Sequence, residues 1–595
     1  MKYVFSLILL LISLFQYAQD LVIVHSNDLH SHLNGFSPEA EYTPLIHDND
    51  PTRGGFSRIA GFINSEKKQY EDKLLVVDAG DFLMGTFFQT LELSEGFQLN
   101  LMKKMGYDFV ALGNHEFDFG PGALAEIINH SLQNGEIPQL LNTNYKEAKS
   151  SDGSKLMRLF ENKVILPYSV IEKNGYILGI FSLIGKDANE SISDDYGIIL
   201  NNQKKVAKQT AKYLKNVEKV DLVIVLSHSG VEKDKKGEWA GEDVEYAEAA
   251  PDIDIIISGH THTCLPEPIY AGNAVIVQTG ALGMYMGKLE IYLQGREKPQ
   301  VKYTLTEMND DIEADEQVQQ MIDAKVPVLE KTILSNIGVG YNEIIGETSF
   351  DLVLDENDQD ASNLGPFIAD AIYNTLNKSE NTATDVVFVA SGVIRNNIVK
   401  GNTGKQNIND IYNIMPLGRG EDAVPGHPLA KVYVYGNELK EVLELILHVY
   451  PDKHDYYLYF SGLEIDYNPE KGLFKKISAI RVGNPVDGYR EIDISKKSND
   501  LICIAANKYM ISFIGRLKKM SFGLVNVVPK KADGSVIADQ DFLIDMDPDK
   551  EGIQEAKEWV SMYRYIKGFE DINGNGIPDI PVIYKTKTNP LFVKE

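Results

Sequence analysis

The chain has 595 residues, 43% of them hydrophobic, and a formal net charge of −28. That length exceeds what one hydrophobic core serves, so two domains and a linker are expected. The acidity excludes a general attraction to nucleic acid polymers or anionic membranes, and a phosphate-bearing substrate would need a local cation to hold it.

Residues 1–18 have the order of a secretory signal: Lys2, an apolar stretch over 4–15, then Ala18. Gln16 stands where a small residue is preferred near the cleavage point, and a single uncleaved anchor is the alternative, although the stretch is short for a span. No cysteine closely follows it to carry a lipid, and the tail ends in the polar pair Lys594-Glu595. Export to the periplasm or exterior, without stable membrane insertion, is the expectation. Cys264 and Cys503 are the two cysteines and are expected to be isolated thiols.

Five short apolar runs follow, each closing on a residue able to bind a metal. Residues 21–26 close on Asp28 and His30, 74–79 on Asp81, 109–113 on Asn114 and His115, 222–227 on His228, and 253–259 on His260 and His262. Runs this short, rich in Val, Ile and Leu, predict strands buried on both faces. The carboxyl edge of an α/β sheet is where sites form, so one rim would collect all of these residues.

In chain order, Asp28 and His30 leave one loop toward a common point, and a carboxylate with an imidazole suits zinc, manganese or a similar first-row ion. An Asx-turn with a surface histidine is the alternative. His25 and His32 have no such partners and are expected to be structural. Arg53-Gly54-Gly55-Phe56 opens an amphipathic helix to about Lys68. Gly80 permits a tight turn that aims Asp81 at the rim, where its carboxylate can bridge two ions. Asp78, inside the strand, is the rival. Asn114 is an unusual ligand unless other anions surround the metal. His115 and Asp118 can pair so that the carboxylate orients the imidazole, the alternative being a capped helix start. Strands are expected at 166–168 and 177–185, a loop without evident chemistry at 185–187, and a helix over 206–217. His228 is either a core residue or a ligand placed at a strand end. The sequence Gly259-His260-Thr261-His262 sets two imidazoles on the same side of an extended loop, where they can serve different ions; a pair of surface histidines is the alternative.

Taken together, Asp28, His30, Asp81, Asn114, His115, Asp118, His228, His260 and His262 resemble the calcineurin-like metallophosphoesterases, and their order and spacing are similar to the exported 5'-nucleotidase family. The resemblance implies a four-layer α/β sandwich followed by a second mixed α/β domain, joined by a linker helix. It implies two divalent metal ions, of the manganese, zinc or cobalt type, with Asp28, His30, Asp81 and His262 holding one and Asp81, Asn114, His228 and His260 the other. His115 and Asp118 match the family's catalytic dyad, and the implied chemistry is phosphate ester hydrolysis by in-line attack of metal-bound water. With the signal pattern and the composition shift near 312–336, the expected domain boundaries are 1–18 for the signal, 19–312 for the metallophosphoesterase domain, 313–336 for the linker helix and 337–595 for the substrate-binding domain.

The segment from Met308 to about Leu334 is acidic and then helical in pattern, either as that linker or as a helix packed into the first domain. In the second half, helices are expected at 364–376 and 439–449 and strands at 386–390 and 501–505. Gly392-Val393-Ile394-Arg395, Met415-Pro416-Leu417-Gly418, Tyr435-Gly436-Asn437-Glu438-Leu439 and Asn507-Lys508-Tyr509 are similar to pieces of the nucleotidase C-terminal domain. Departures matter as much. Relatives that cleave nucleotides usually clamp the base between two aromatic rings, and Leu417 stands in place of the first. Tyr509 is the candidate for the second, but Phe513-Ile514-Gly515-Arg516 replaces the glycine-rich acidic turn. Ala390 replaces an expected Asn, Asp360 and Ala361 occupy the neighbourhood of a phosphate-facing Arg, and Arg395 remains. Losing one face of a base sandwich forfeits about 1–3 kcal/mol. Arg395 and Tyr509 are therefore the candidate substrate contacts. Finally, residues 571–579 carry oxygen side chains at alternating positions, Gly at the sixth and Asp at the ninth, as a calcium loop begins, while Val582 occupies the twelfth position where a bidentate Glu belongs. An ordinary Asx-rich turn is the alternative.

The expectation is an exported two-metal phosphohydrolase acting on a small phosphorylated substrate, a nucleotide or nucleotide sugar. A broader phosphomonoesterase or cyclic-nucleotide phosphodiesterase is one alternative; an exported ligand-binding protein with structural metals is another.

Overall fold

The computed structural model describes residues 19–593 apart from 37–41, 48–50, 150–151, 194–195, 294–297, 356–357, 423, 452, 513–517, 519–520, 522 and 538–541. The expected signal segment and the 513–516 stretch lie outside the described residues. Two compact units divide at Lys325 and Val326, with Gly85–Phe87 grouped with the second.

Strands β1 (Leu21–Ser26), β2 (Leu74–Asp78) and β3 (Phe109–Ala111) are buried at every position. They lie parallel in the middle of a seven-stranded sheet, which continues through Gln139–Leu141 and Ile165–Leu166 on one side and the antiparallel pair Tyr285–Tyr292 and Gln300–Glu307 on the other. The Leu222–His228 and Ile255–Ser258 strands do not extend that sheet. They are the parallel centre of a separate six-stranded sheet, between Tyr176–Ile184 and Ala274–Val277, with Tyr168–Lys173 and Ile269–Ala271 at its edges. The single collecting rim expected above is therefore two rims, one from each sheet.

Period-two alternation explains how the sheets stack. Leu21, Ile23, Leu75, Val77 and Ala111 from the first sheet and Leu178, Ile180, Ile224, Leu226, Ile257 and Val277 from the second fill one inter-sheet core. Alternate residues such as Val223, Val225 and Ile256 face away, onto the Gln203–Tyr213 and Glu242–Ala249 helices through Ala207, Ala211, Tyr246 and Ala247. With the Phe56–Tyr70 helix against β2, the layers run helix, sheet, sheet, helix. Both faces of each sheet are covered, which is why these strands read as continuous apolar runs.

Two expectations change at prolines. The strand expected over 166–168 is two strands in different sheets, Ile165–Leu166 and Tyr168–Lys173, because Pro167 has no N–H for a ladder and the chain crosses between sheets there. Likewise the expected linker helix is two helices, Glu316–Asp323 and Val326–Thr332, with Pro327 in the first turn of the second. The first of them belongs to the first unit. Its cap Asp315 donates its backbone N–H to Ser57 O (2.8 Å), accepts from Asn64 Nδ2 (2.8 Å) through one carboxylate oxygen and from Val318 N (3.0 Å) through the other.

The second unit has a mixed sheet ordered Leu429–Tyr435, Leu501–Asn507, Val386–Ala390, Leu458–Ser461, and a second sheet ordered Gly488–Glu491, Ile477–Asn484, Leu463–Tyr467, Leu591–Val593. The Leu364–Leu376 helix and the Val386–Ala390 strand coincide with the expected bounds, while the helix expected at 439 begins at Gly436. Within this unit Glu558 is buried, accepts from Asn507 Nδ2 (3.1 Å), and is raised by burial to about 8. Because its folded form holds the proton more tightly than the unfolded chain, wild-type stability falls as pH rises from the ordinary glutamate range to about 8. Glu558→Gln, which keeps the acceptor, is expected to unfold at a higher urea concentration than wild type at pH 9 and at a similar one at pH 4.5.

Candidate functional site

Backbone strain marks the site before any side chain is considered. Asp28 (φ 51°), His30 (φ 50°), Asp81 (φ 57°), His260 (φ 75°) and His262 (φ 53°) are all left-handed although none is glycine. Each costs on the order of 1–3 kcal/mol, and such outliers collect where a site must hold a geometry. The loops concerned interlock through backbone bonds: Asp28 N to Gly80 O (2.9 Å), His30 N to Asp81 O (3.0 Å) and Leu282 N to Asp28 O (2.7 Å). At Gly113 a Cβ would lie 2.2 Å from Asp81 Oδ1, so β3 can approach the Asp81 loop only with glycine there.

Two groups able to hold a metal result, one of Asp28, His30 and His262 and the other of Asp81, His228 and His260, so that both rims contribute to each. In the first group, His30 Nδ1 lies 3.2 Å from Leu83 O, which can only accept, so a neutral His30 carries its lone pair on Nε2. That nitrogen lies 2.9 Å from His262 Nε2, and Asp28 Oδ1 is 3.8 Å and 3.5 Å from the two nitrogens. In the second group, His228 Nδ1 donates to Ala79 O (3.0 Å), which aims Nε2 at Asp81 Oδ2 (2.9 Å) and Asn114 Oδ1 (3.1 Å). Asp28 Oδ1, 3.9 Å from His228 Nε2, stands between the groups.

The donor set fits divalent cations. Nitrogen and oxygen acceptors this close, most of them buried although His262 is exposed and His260 half-buried, repel unless a proton or a cation lies between them. A proton meets the need at His228: burial works against its charge, but Asp81, with Asp28 and Glu116 behind it, raises it to about 10. Burial equally opposes a charge on Asp81, yet His228, His115 and His30 hold that carboxylate well below its usual range. Imidazole with carboxylate and one amide oxygen suits a first-row ion.

His115 sits beside both groups. Its Nδ1 is 2.9 Å from Asp118 Oδ2, its backbone N–H donates to Asp81 Oδ1 (2.8 Å), and its ring meets His30 edge-on at 5.3 Å. The sequence identified neither what braces this centre nor that Asp187, in the loop expected to carry no chemistry, turns Oδ2 to within 3.3 Å of His260 Nε2. Glu116 is buried and accepts from the backbone N–H groups of Asp81 (3.0 Å), Leu83 (3.0 Å) and Gly113 (2.6 Å), tying the β2 and β3 loops together. Asn27 donates to Asp28 Oδ2 (2.7 Å) and Gly280 O (2.6 Å) and accepts from Thr279, bridging the two sheets. Asp243 accepts from Ser227 Oγ (2.5 Å) and Ser258 Oγ (2.6 Å), clamping the strand ends that present His228 and His260. His25 and His32 are buried, and burial lowers them to about 3 and about 4.

The other candidates lie in the second unit. Arg395 is half-buried with its backbone N–H on Ile414 O (2.8 Å), and Tyr509 is half-buried and stacked on His427 at 5.3 Å and 14°. In the 571–579 loop, Asp571 accepts from the backbone N–H groups of Gly574, Asn575 and Gly576. Cys264 and Cys503 are free thiols.

Residues 21–264 match the family model of the calcineurin-like phosphoesterases, and 342–493 match that of the 5'-nucleotidase C-terminal domain. The chain pairs a calcineurin-like phosphoesterase domain with a following 5'-nucleotidase C-terminal domain. With these domains it is a metal-dependent phosphoester hydrolase. It is 24% identical over 517 residues to the trifunctional nucleotide phosphoesterase protein YfkN of Bacillus subtilis, covering 82% of this chain but only 32% of that protein's length. To the 5'-nucleotidase of Rattus norvegicus it is 24% identical over 494 residues, 78% of each chain. Among solved structures, it resembles a 5'-nucleotidase precursor from Thermus thermophilus (TM-score 0.67, 20% identity, 96% of this chain and 99% of that one). The fold likeness extends to the sulfate thiohydrolase SoxB of the same species (TM-score 0.63, 17% identity, 98% and 97%), whose name is not that of a phosphoesterase.

Two variants test the bracing. Glu116→Gln turns an amide donor toward backbone donors and is expected to weaken retention of the metals by about 10–100-fold, measured by elemental analysis after dialysis, with the circular dichroism unchanged. Burial raises Asp243 to about 7, so its folded form favours the proton and its contribution to stability declines from the ordinary aspartate range up to about pH 7. Urea unfolding is therefore expected to show any advantage of wild type over Asp243→Asn shrinking between pH 5 and pH 8.

Proposed function

We propose that the protein is an exported two-metal phosphohydrolase that cleaves the phosphate ester of a nucleotide or nucleotide sugar. The convergence of the Asp28/His30/His262 and Asp81/His228/His260 groups from two sheets is the observation that carries this reading. Asp28, His30, Asp81 and His262 would hold one ion and Asp81, Asn114, His228 and His260 the other, with manganese, zinc or cobalt suiting the donors. When bound, such a pair supplies Lewis acidity that activates water and offsets phosphoryl charge, which an acidic chain otherwise repels.

The chain's own residues supply the rest. Asp118 fixes the His115 tautomer at Nδ1, so His115 Nε2 is the atom that exchanges a proton with the leaving oxygen or meets its developing charge. A binding protein with purely structural metals has no use for that pair. Arg395 and Tyr509 are the substrate contacts we assign to the second unit, 337–595, which the family match and the nucleotidase names of the relatives support as a substrate domain. Export rests on the residue pattern of 1–18. Among the described residues no helix is long and apolar enough to cross a membrane.

A second reading has its own support. His427 already covers one face of Tyr509, and Leu417 replaces the other expected ring, so a base meets less aromatic surface than a two-ring clamp offers. On that reading the enzyme is a broader phosphomonoesterase or cyclic-nucleotide phosphodiesterase.

Purified protein supplied with manganese is expected to hydrolyse AMP or UDP-glucose with a higher kcat/KM than p-nitrophenyl phosphate. A preference for p-nitrophenyl phosphate or 2',3'-cAMP would favour the second reading, and inertness toward all four would overturn both. His115→Ala is expected to retain its metals while kcat falls by about 10²–10⁴-fold.

A further inference from the structure

Within the second unit, the loop from Asp571 to Asp579 departs from a calcium-loop pattern at its twelfth position, Val582, which is 68% exposed and carries no oxygen. A carboxylate from elsewhere in the sequence meets the loop. Glu347 ends the Ile344–Glu347 strand, is only 9% exposed, and turns its carboxylate toward Asn573 and Asn575, the third and fifth positions. Asn575 Nδ2 lies 3.1 Å and 3.0 Å from its two oxygens, and Asn573 Nδ2 also contacts Oε1. The backbones are docked as well, with Glu347 N donating to Pro578 O (2.8 Å) and Ile580 N to Glu347 O (2.8 Å).

The carboxylates at this junction accept hydrogen bonds but have no cationic side chain beside them among the described residues. Asp571, Asp579 and Glu347 are three carboxylates, and among the described residues none is paired with a Lys, Arg or His nitrogen. For the exposed Asp571 this is ordinary. For Glu347 it is not, because a buried carboxylate without a cation is costly and is normally paired or bound to a metal. Among the described residues its side-chain partners, Asn573 and Asn575, belong to the loop itself, and an amide that rotates half a turn presents its carbonyl oxygen where its NH2 was.

We propose that Asp571, Asn573, Asn575, Asp579 and Glu347 form a calcium site, in which Glu347 supplies the bidentate carboxylate that the loop's own twelfth position lacks. The ion would cross-link the loop to the Ile344–Glu347 strand, making calcium a structural ligand of this unit, separate from the metals of the first. Gly574 (φ 78°) and Gly576 (φ 86°) give the turn that the alternating oxygens require.

Calorimetric titration of the full chain, first saturated with manganese, with calcium chloride tests this. Wild type is expected to bind a single further calcium ion, Glu347→Gln to weaken that binding at least tenfold, and Asn575→Ala to weaken it as well. Manganese-supported hydrolysis is expected to be unchanged in both variants. Wild type that takes up no calcium at millimolar concentration overturns the proposal whatever the variants do, and so does a properly folded Glu347→Gln that binds as tightly as wild type.

Discussion

The first unit depends on acceptor groups drawn together at one place. Asp81 is the joint: Oδ1 takes the backbone N–H of His115 and Oδ2 faces the His228 imidazole, so one carboxylate joins the ends of β2, β3 and the Leu222–His228 strand. Holding such groups together costs free energy, and the left-handed backbone of Asp28, His30, Asp81, His260 and His262 is where that cost is visible. The surrounding structure offsets it with groups that leave few alternatives. Glu116 fixes two loops through three backbone N–H groups, Asn27 spans the two sheets, and Asp243 holds the strand ends behind the histidines. A cation is what makes the arrangement favourable as a whole, and it is also what an acidic chain needs to receive a phosphate.

Much of this is legible in the sequence because strands covered on both faces must be apolar along their whole length. β1 and β2 declare themselves by composition, and the polar residue at the end of each run then stands out by position alone. The sorting of strands into two sheets is not legible, because it turns on the crossing at Pro167, and a proline between two apolar stretches reads equally well as an edge irregularity. Glu116, Asn27 and Asp243 are hidden for a different reason. Each does its work through backbone amides or hydroxyls, and no residue type announces that a carboxylate will accept from three amides. Asp243, in the first turn of the Glu242–Ala249 helix, reads as an ordinary acidic helix start.

The second unit shows the same limit at longer range. Its strands and helices follow from periodicity, yet Tyr509 reads as an available ring until its stacking on His427 is seen. The calcium-loop pattern reads as truncated at Val582 because Glu347 lies 226 residues before Asn573, beyond any local motif. In both cases the fold supplies or removes a partner that spacing cannot register. Likeness of fold also leaves substrate open, since the same architecture is shared by proteins named as nucleotidases and by one named a sulfate thiohydrolase.

On our proposal two cations would share Asp81 where the rims of the two sheets meet. Anomalous X-ray scattering from crystals grown with manganese tests it most directly. The account predicts two peaks, both within coordination distance of the Asp81 carboxylate, one beside His30 and His262 and the other beside Asn114, His228 and His260. A single peak, or peaks that leave Asp81 uncoordinated, would contradict it.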